Sequence, residues 1–284
     1  MSLETEAGIA AEVLLEERRV AALPAAAHVC RHYFGTEQMA ERLRRILMEA
    51  VPYYWAPEQC RIVERVGPSV PPQWTPLPES FETTAGFFWF ARCLRLADGG
   101  PVRGLRAVAW RLEPDGLWVV WYCEVESGQT VPIAIMQWLA QEPFGKVAAD
   151  VEADAPPEYR QDGTAAAYRQ WLAFTAAACA FLEQRILVTR PVRPARATRR
   201  RLPVPLRDDW LRVVALRRRV ALGPAPMGHA DVDWSCRWLV RGHWREQWFP
   251  SVGRHRPIFI LPYEKGPEDR PLKMPGATIF AVRR

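Results

Sequence analysis

The segment Asp231 to Phe249, DVDWSCRWLVRGHWREQWF, alternates its side chains over an unusual length. Val232, Trp234, Cys236, Trp238, Val240, Gly242, Trp244, Glu246 and Trp248 share one parity. Asp233, Ser235, Arg237, Leu239, Arg241, His243, Arg245 and Gln247 share the other. A period of two is what a β-strand with one buried and one solvated face produces. The pattern predicts a row of tryptophans turned inward and Arg237, Arg241, His243 and Arg245 turned outward together. Such a run exceeds the usual strand of ~5 to 6 residues. A bend or bulge is therefore expected near Gly242, where a missing side chain tolerates it.

Basic residues gather around this segment. Arg254, His255 and Arg256 fall in the loop expected to follow it. Upstream, Thr189 to Arg207 (TRPVRPARATRRRLPVPLR) holds seven arginines and four prolines and has no apolar face to bury. It reads as an extended arm carrying the block Arg199, Arg200 and Arg201. Trp210 to Leu216 reads as a strand that ends in Arg217, Arg218 and Arg219. Residues 188–284 contain 21 Lys plus Arg against 8 Asp plus Glu, a net of +13, whereas residues 1–187 contain 17 against 24, a net of −7. Such asymmetry points to a polyanionic partner for the basic half. Two bland readings compete. Arg outnumbers Lys 35 to 3, as a GC-rich coding bias also gives, and the acidic half can neutralise the basic one. The cationic face can likewise be a solvated face paired with Asp233, Glu246, Glu264 or Asp269.

The remaining pattern is α+β. Ser2 to Val20 reads as a helix, and Thr36 caps a second one running to about Ala50 with Met39, Leu43, Ile46 and Leu47 along one stripe. Tyr53 to Pro78 is punctuated by prolines and reads as a connector. Phe87–Leu96, Leu105–Leu112 and Leu117–Val125 form a β-meander whose aromatics read as core rather than as a stacking platform for bases. Pro132 to Ala140 is ambiguous. Thr164 then caps a long core helix, Ala165–Leu187. Pro257–Tyr263 and Thr278–Val282 complete an antiparallel C-terminal sheet. The expected domains are 1–187, helical plus meander; 188–209, the Arg/Pro arm; and 210–284, a basic β module.

Several function classes lack their signatures. The chain has no GxxxxGK[ST] loop, no GxGxxG after a strand, no GxSxG and no HExxH. Six cysteines lie singly with no CxxC, so reduced thiols and no structural zinc are expected. His28 and His32 lack an evident third metal ligand. No metal and no cofactor are expected. No apolar run reaches the ~18 to 20 residues of a membrane span, and the acidic start is unlike a signal peptide. The expected setting is cytoplasmic, away from membranes.

Three functions fit. The first is a nucleic-acid-binding accessory or regulatory protein, on DNA or RNA, using Arg199–Arg201, Arg217–Arg219, Arg237, Arg241, His243, Arg245, Arg254 and Arg256. The second is an interaction or structural protein whose positive field meets an acidic protein. The third is a ribonuclease-type toxin. There His243 would take a proton from a 2′-hydroxyl, His255 would protonate the leaving oxygen, and Arg241 or Arg245 would stabilise the developing charge. A binding protein is preferred to an enzyme.

The block RWLVRGHWREQWFPSVGRHRPIFILPYEKGPEDRPLK resembles one in uncharacterised proteins of actinobacteria and their phages or plasmids. These carry VRGHWR-Q-W/Y followed by HRPI-I-P--KGPED-PL. The Arg/Pro arm and LPESFETTAGFFWFARCLRL look similar to that family too, so the likeness spans about residues 75–284. It implies an intracellular actinobacterial or mobile-element origin and no chemistry.

Overall fold

The computed structural model describes residues 37–76, 81–95, 104–124, 130–161, 163–184, 187–192, 196, 200, 211–216, 235–251, 253–267 and 269–273. The chain divides into two compact units, 1–217 and 218–284. Together they are α+β.

The first unit is built on one mixed sheet of seven strands in the order β5-β4-β3-β2-β1-β7-β6. The antiparallel meander expected from the apolar runs is β2 (Ala85–Leu94), β3 (Leu105–Glu113) and β4 (Gly116–Glu124). β5 (Thr130–Leu139) extends it and settles the ambiguous Pro132–Ala140 stretch. β1 (Val51–Trp55) lies near the middle, parallel to β2 on one side and to β7 (Leu211–Leu216) on the other. β6 (Leu187–Val192) closes the far edge, antiparallel to β7.

The expectation of a plain connector over Tyr53–Pro78 is thus corrected. That region contains the end of β1, helix α2 (Pro57–Val66) and a single 3-10 turn at Gly67–Ser69. Its prolines sit where each structure tolerates them. Pro52 is the second residue of β1, just before the first β1–β7 pair at Tyr53. Pro57 opens α2, where its missing N–H is an orphan anyway. The run from β1 through α2 to β2 is a crossover between parallel strands, which a short hairpin cannot make.

Both faces of the sheet are covered, as strands apolar on both parities require. On one face Tyr54, Phe87, Trp89, Ala109, Trp118, Val120 and Tyr122 pack with Leu43, Ile46 and Leu47 of α1 (Glu37–Glu49). An ionic fastening joins the same elements: Arg42 Nη1 donates to Glu113 Oε2 at 2.7 Å and its guanidinium lies 3.8 Å from the centre of the Trp118 ring. On the other face Trp55, Phe88, Phe90 and Trp110 form an edge-on and tilted aromatic cluster. Beside it Trp121 meets α5 (Thr164–Leu182) through Tyr168 and Trp171. From Trp171 to Phe181 every residue of α5 is buried. A helix apolar on all sides is a core helix, and α5 also packs against α2, α3 (Phe144–Ala153) and α4 (Pro157–Gln161).

Two domain boundaries shift. The sequence assigned Thr189–Arg207 to an arm and began the C-terminal module at 210. Instead Leu187–Val192 and Leu211–Leu216 are paired strands of the first sheet, with Pro191 tolerated because β6 is an edge. Of the residues between them, Arg196 and Arg200 are exposed. Arg199, Arg201 and Arg217–Arg219 lie outside the described residues, as do the helix expected at Ser2–Val20 and His28, Cys30 and His32.

Among the described residues the second unit holds two small sheets. β8 (Arg237–Val240) lies between β11 (Tyr263–Lys265), antiparallel, and β12 (Leu272–Lys273), parallel. β9 (His243–Phe249) and β10 (Arg254–Ile260) form a separate antiparallel ribbon. The strand expected at Thr278–Val282 lies outside the described residues.

A polar contact inside the first core gives a stability test. Thr175 Oγ1 accepts from Trp121 Nε1 at 3.0 Å and donates to the Trp171 carbonyl at 2.8 Å, fully buried. Thr175→Val keeps the shape and strands the indole N–H. Urea unfolding should show a loss of ~1 to 3 kcal/mol, with Thr175→Ser retaining most of the stability. Equal stability of Thr175→Val and wild type would show that the contact contributes nothing.

Candidate nucleic-acid interface

The long alternating segment is interrupted at Arg241 and Gly242. β8 ends at Val240, β9 starts at His243, and the two strands belong to different sheets. A Cβ on Gly242 would lie 2.7 Å from Phe259 Cζ and 3.1 Å from Pro262 Cδ. The phenyl ring occupies the space a side chain would need, so any larger residue must displace it.

The break corrects the expectation of one cationic row from Arg237 to Arg245. Arg237 lies in the β8 sheet. Its Nη1 donates to Glu264 Oε2 at 3.0 Å and its Nε to the Arg270 carbonyl at 2.8 Å. It is therefore neutralised, as the solvated-face alternative required. Arg241 is exposed in the link between the sheets. Among the described residues, no carboxylate forms an ion pair with Arg241 or Arg245.

The ribbon gathers a different set of cations. Directly opposed residues of an antiparallel pair share a face, and the register matches Arg254 with Phe249, Arg256 with Gln247, Ile258 with Arg245 and Ile260 with His243. One face thus carries His243, Arg245, Arg254 and Arg256 among Gln247, Phe249, Ile258 and Ile260, with no acidic residue. Arg254, His255 and Arg256 were expected in a loop; they open β10 instead, so pleating sends the two arginines to one side and His255 to the other. Arg245 Nη2 donates to Gln247 Oε1 at 2.7 Å, and the Gln247 amide donates to the Trp248 carbonyl. The Arg256 guanidinium stands 5.6 Å from the centre of the Phe249 ring. The first of these contacts holds the Arg245 guanidinium along the face.

The other face carries Trp244, Glu246 and Trp248 opposite Phe259, Pro257 and His255. Here the expectation that all tryptophans turn inward is corrected. Trp244 packs edge-on against Phe259, which is the one buried apolar side chain of this unit among the described residues. Trp248, at the turn end, is 46% exposed with its ring 5.1 Å from that of His255. Trp238 is half-buried with the Lys265 ammonium over it at 5.9 Å. Trp234 lies outside the described residues.

The geometry removes the ribonuclease arrangement. His243 and His255 sit on opposite faces of the ribbon. His255 opposes Trp248, five positions from His243, or ~17 Å along a strand. They cannot serve one reacting phosphate. The Nδ1–H of His243 donates to the Arg241 carbonyl at 2.9 Å, which holds the ring against its own chain. Nor do the buried thiols offer a nucleophile: burial pushes Cys60 up to about 11 and Cys93 up to about 12, and raises Cys123 and Cys179 too. Among the described residues, no group of three His, Cys, Asp or Glu is placed to hold a metal ion, and no helix is long and apolar enough to cross a membrane.

Comparison of the chain with protein-family models, with curated proteins and with solved structures found no match.

Gly242→Ala probes the seating of Phe259. The added methyl must displace the ring, an overpacking that costs about 1 to 3 kcal/mol. Amide hydrogen exchange in 243–260 should quicken while that of α5 stays as in wild type. Unchanged exchange across the ribbon would mean that the Gly242–Phe259 contact does not set its geometry.

Proposed function

We propose that this chain binds nucleic acid, with the ribbon face of His243, Arg245, Arg254 and Arg256 as its contact surface and Arg241 at the margin. One observation carries the reading: three guanidinium groups share a face that holds no carboxylate. Guanidinium forks match phosphate oxygens in pairs. Gln247 adds an amide of the kind that meets base edges. The net charge of +13 on residues 188–284 supplies the long-range attraction, with Arg199–Arg201 and Arg217–Arg219 contributing to it. An accessory or regulatory role in an actinobacterium or its mobile elements is the biological setting we propose, on the sequence resemblance alone.

A second reading is favoured by Leu239, 51% exposed, and Trp248. A basic surface with exposed apolar anchors also suits an acidic protein partner.

Affinity measured against salt separates the two. Wild type should bind DNA or RNA with a steep log–log slope. Arg245→Ala/Arg256→Ala should lower that slope by about 1.8 on duplex or about 1.4 on single strands, at ~0.9 and ~0.7 per phosphate contact. Arg237→Ala should leave it unchanged. Absence of binding at low salt, or a slope indifferent to Arg245 and Arg256, would overturn the proposal and favour the protein partner.

A further inference from the structure

We propose that the ligand of this ribbon is duplex DNA, entered through the major groove, and that Gln247 reads an adenine there. This rests on the nucleic-acid reading above and names the class of ligand and the residue that selects its sequence.

The shape of the ribbon points to a groove. At its base the ribbon is anchored through one face, where Phe259 is buried against Gly242 and Trp244 packs edge-on against it. At its turn end both faces are wet. Trp248 and His255 are exposed on the anchored side, Arg254 on the other, and Pro250, Ser251 and Gly253 in the turn between them. The ribbon therefore stands clear of its own core at this end, two strands wide. Paired strands lie ~4.8 Å apart, and the B-form major groove, ~12 Å wide, admits such a ribbon. The major groove of an RNA duplex is too narrow for side chains to read, and a single strand offers no groove.

The chemistry of the cationic face points to a base edge. Gln247 lies at the middle of it, with Arg256 directly across the ladder, Arg245 two residues before, and Arg254 opposite Phe249 two residues after. Two residues of strand span roughly 7 Å, so the amide has one guanidinium beside it and one a step away on either side. Contacts to phosphate fix position, and contacts to base edges fix sequence. The amide is also held in place: its Oε1 accepts from Arg245 Nη2 at 2.7 Å and its Nε2 donates to the Trp248 carbonyl at 3.1 Å. A primary amide has two lone pairs and two N–H groups, so one of each is left over. In the major groove adenine alone presents their complement, an N6 amino donor beside an N7 acceptor. Guanine and thymine give the amide oxygen nothing to accept there, and cytosine gives the amide nitrogen nothing to donate to. Glu246 sits on the opposite face, turned away from a groove that the cations enter.

The full chain would be used to select duplexes from a DNA library with a randomised centre. The selected duplex, its separated strands and an RNA duplex of the same sequence would then be titrated. The selected duplexes should share an adenine at one fixed position, and the DNA duplex should bind tightest. Exchanging that base pair for G·C should cost about 5- to 150-fold. Placing 7-deazaadenine there, which lacks the N7 acceptor, should weaken binding of wild type but not of Gln247→Ala. Gln247→Ala should lose the preference and keep the salt slope, because it removes no charge. Gln247→Glu should move the preference to cytosine, whose N4 amino group donates to a carboxylate; a misfolded ribbon cannot acquire a new preference. Selection without a consensus, tighter binding of a single strand or of the RNA duplex, or an adenine preference that survives Gln247→Ala overturns this inference and leaves the nucleic-acid reading standing. Failure of wild type to bind any probe overturns both.

Discussion

The phenyl ring of Phe259 seated against the backbone of Gly242 decides how the C-terminal unit is built. Without a Cβ at 242, β10 closes over the link between β8 and β9, and the long alternating segment is cut into two strands of different sheets. Everything proposed about the surface follows from that cut. Arg237 is carried off to meet Glu264. Arg245 is left on a two-stranded ribbon, where Arg254 and Arg256 join it from the partner strand. A continuous strand would have lined up Arg237, Arg241 and Arg245; the ribbon replaces that line with a patch.

The two units treat aromatic residues in opposite ways for one reason, the amount of material available to cover them. In the first, a seven-stranded sheet has α1 on one face and α2 and α5 on the other, and Trp55, Trp110, Trp121 and Trp171 are almost wholly buried. In the second, the described strands are short and Phe259 is the one buried apolar side chain among the described residues. Small modules bury a smaller share of their surface, so an indole on the expected inner parity stays half in water. The rings that are surplus to the core become available for contact.

Much of the fold was legible. The meander, α1 and the long helix α5 follow from periodicity and turn residues, which act locally. The C-terminal ribbon was legible in parity, since Arg245 and His243 do share a side. Four things were not. Pro52 and Pro57 read as breakers, because nothing local says that Pro52 lies in a strand whose partners are far along the chain or that Pro57 begins a helix. β7 was assigned to the wrong unit, because strand pairing is set by partners far along the chain; Val214 pairs with Trp55. The break at Gly242 was foreseen as a bend, but its consequence depended on Phe259, seventeen residues later. The contribution of Arg254 and Arg256 was seen as a basic loop, and only the register shows that they reinforce Arg245 while His255 turns away.

The central claim is that the ribbon face, and not β8, is where polyanions bind. Side-chain Nε–H resonances of arginine followed by NMR during titration with oligonucleotide test it most directly. The account predicts shifts confined to Arg241, Arg245, Arg254 and Arg256 within the second unit, with Arg237 unmoved beside Glu264. Perturbation of Arg237 with a silent ribbon would contradict it.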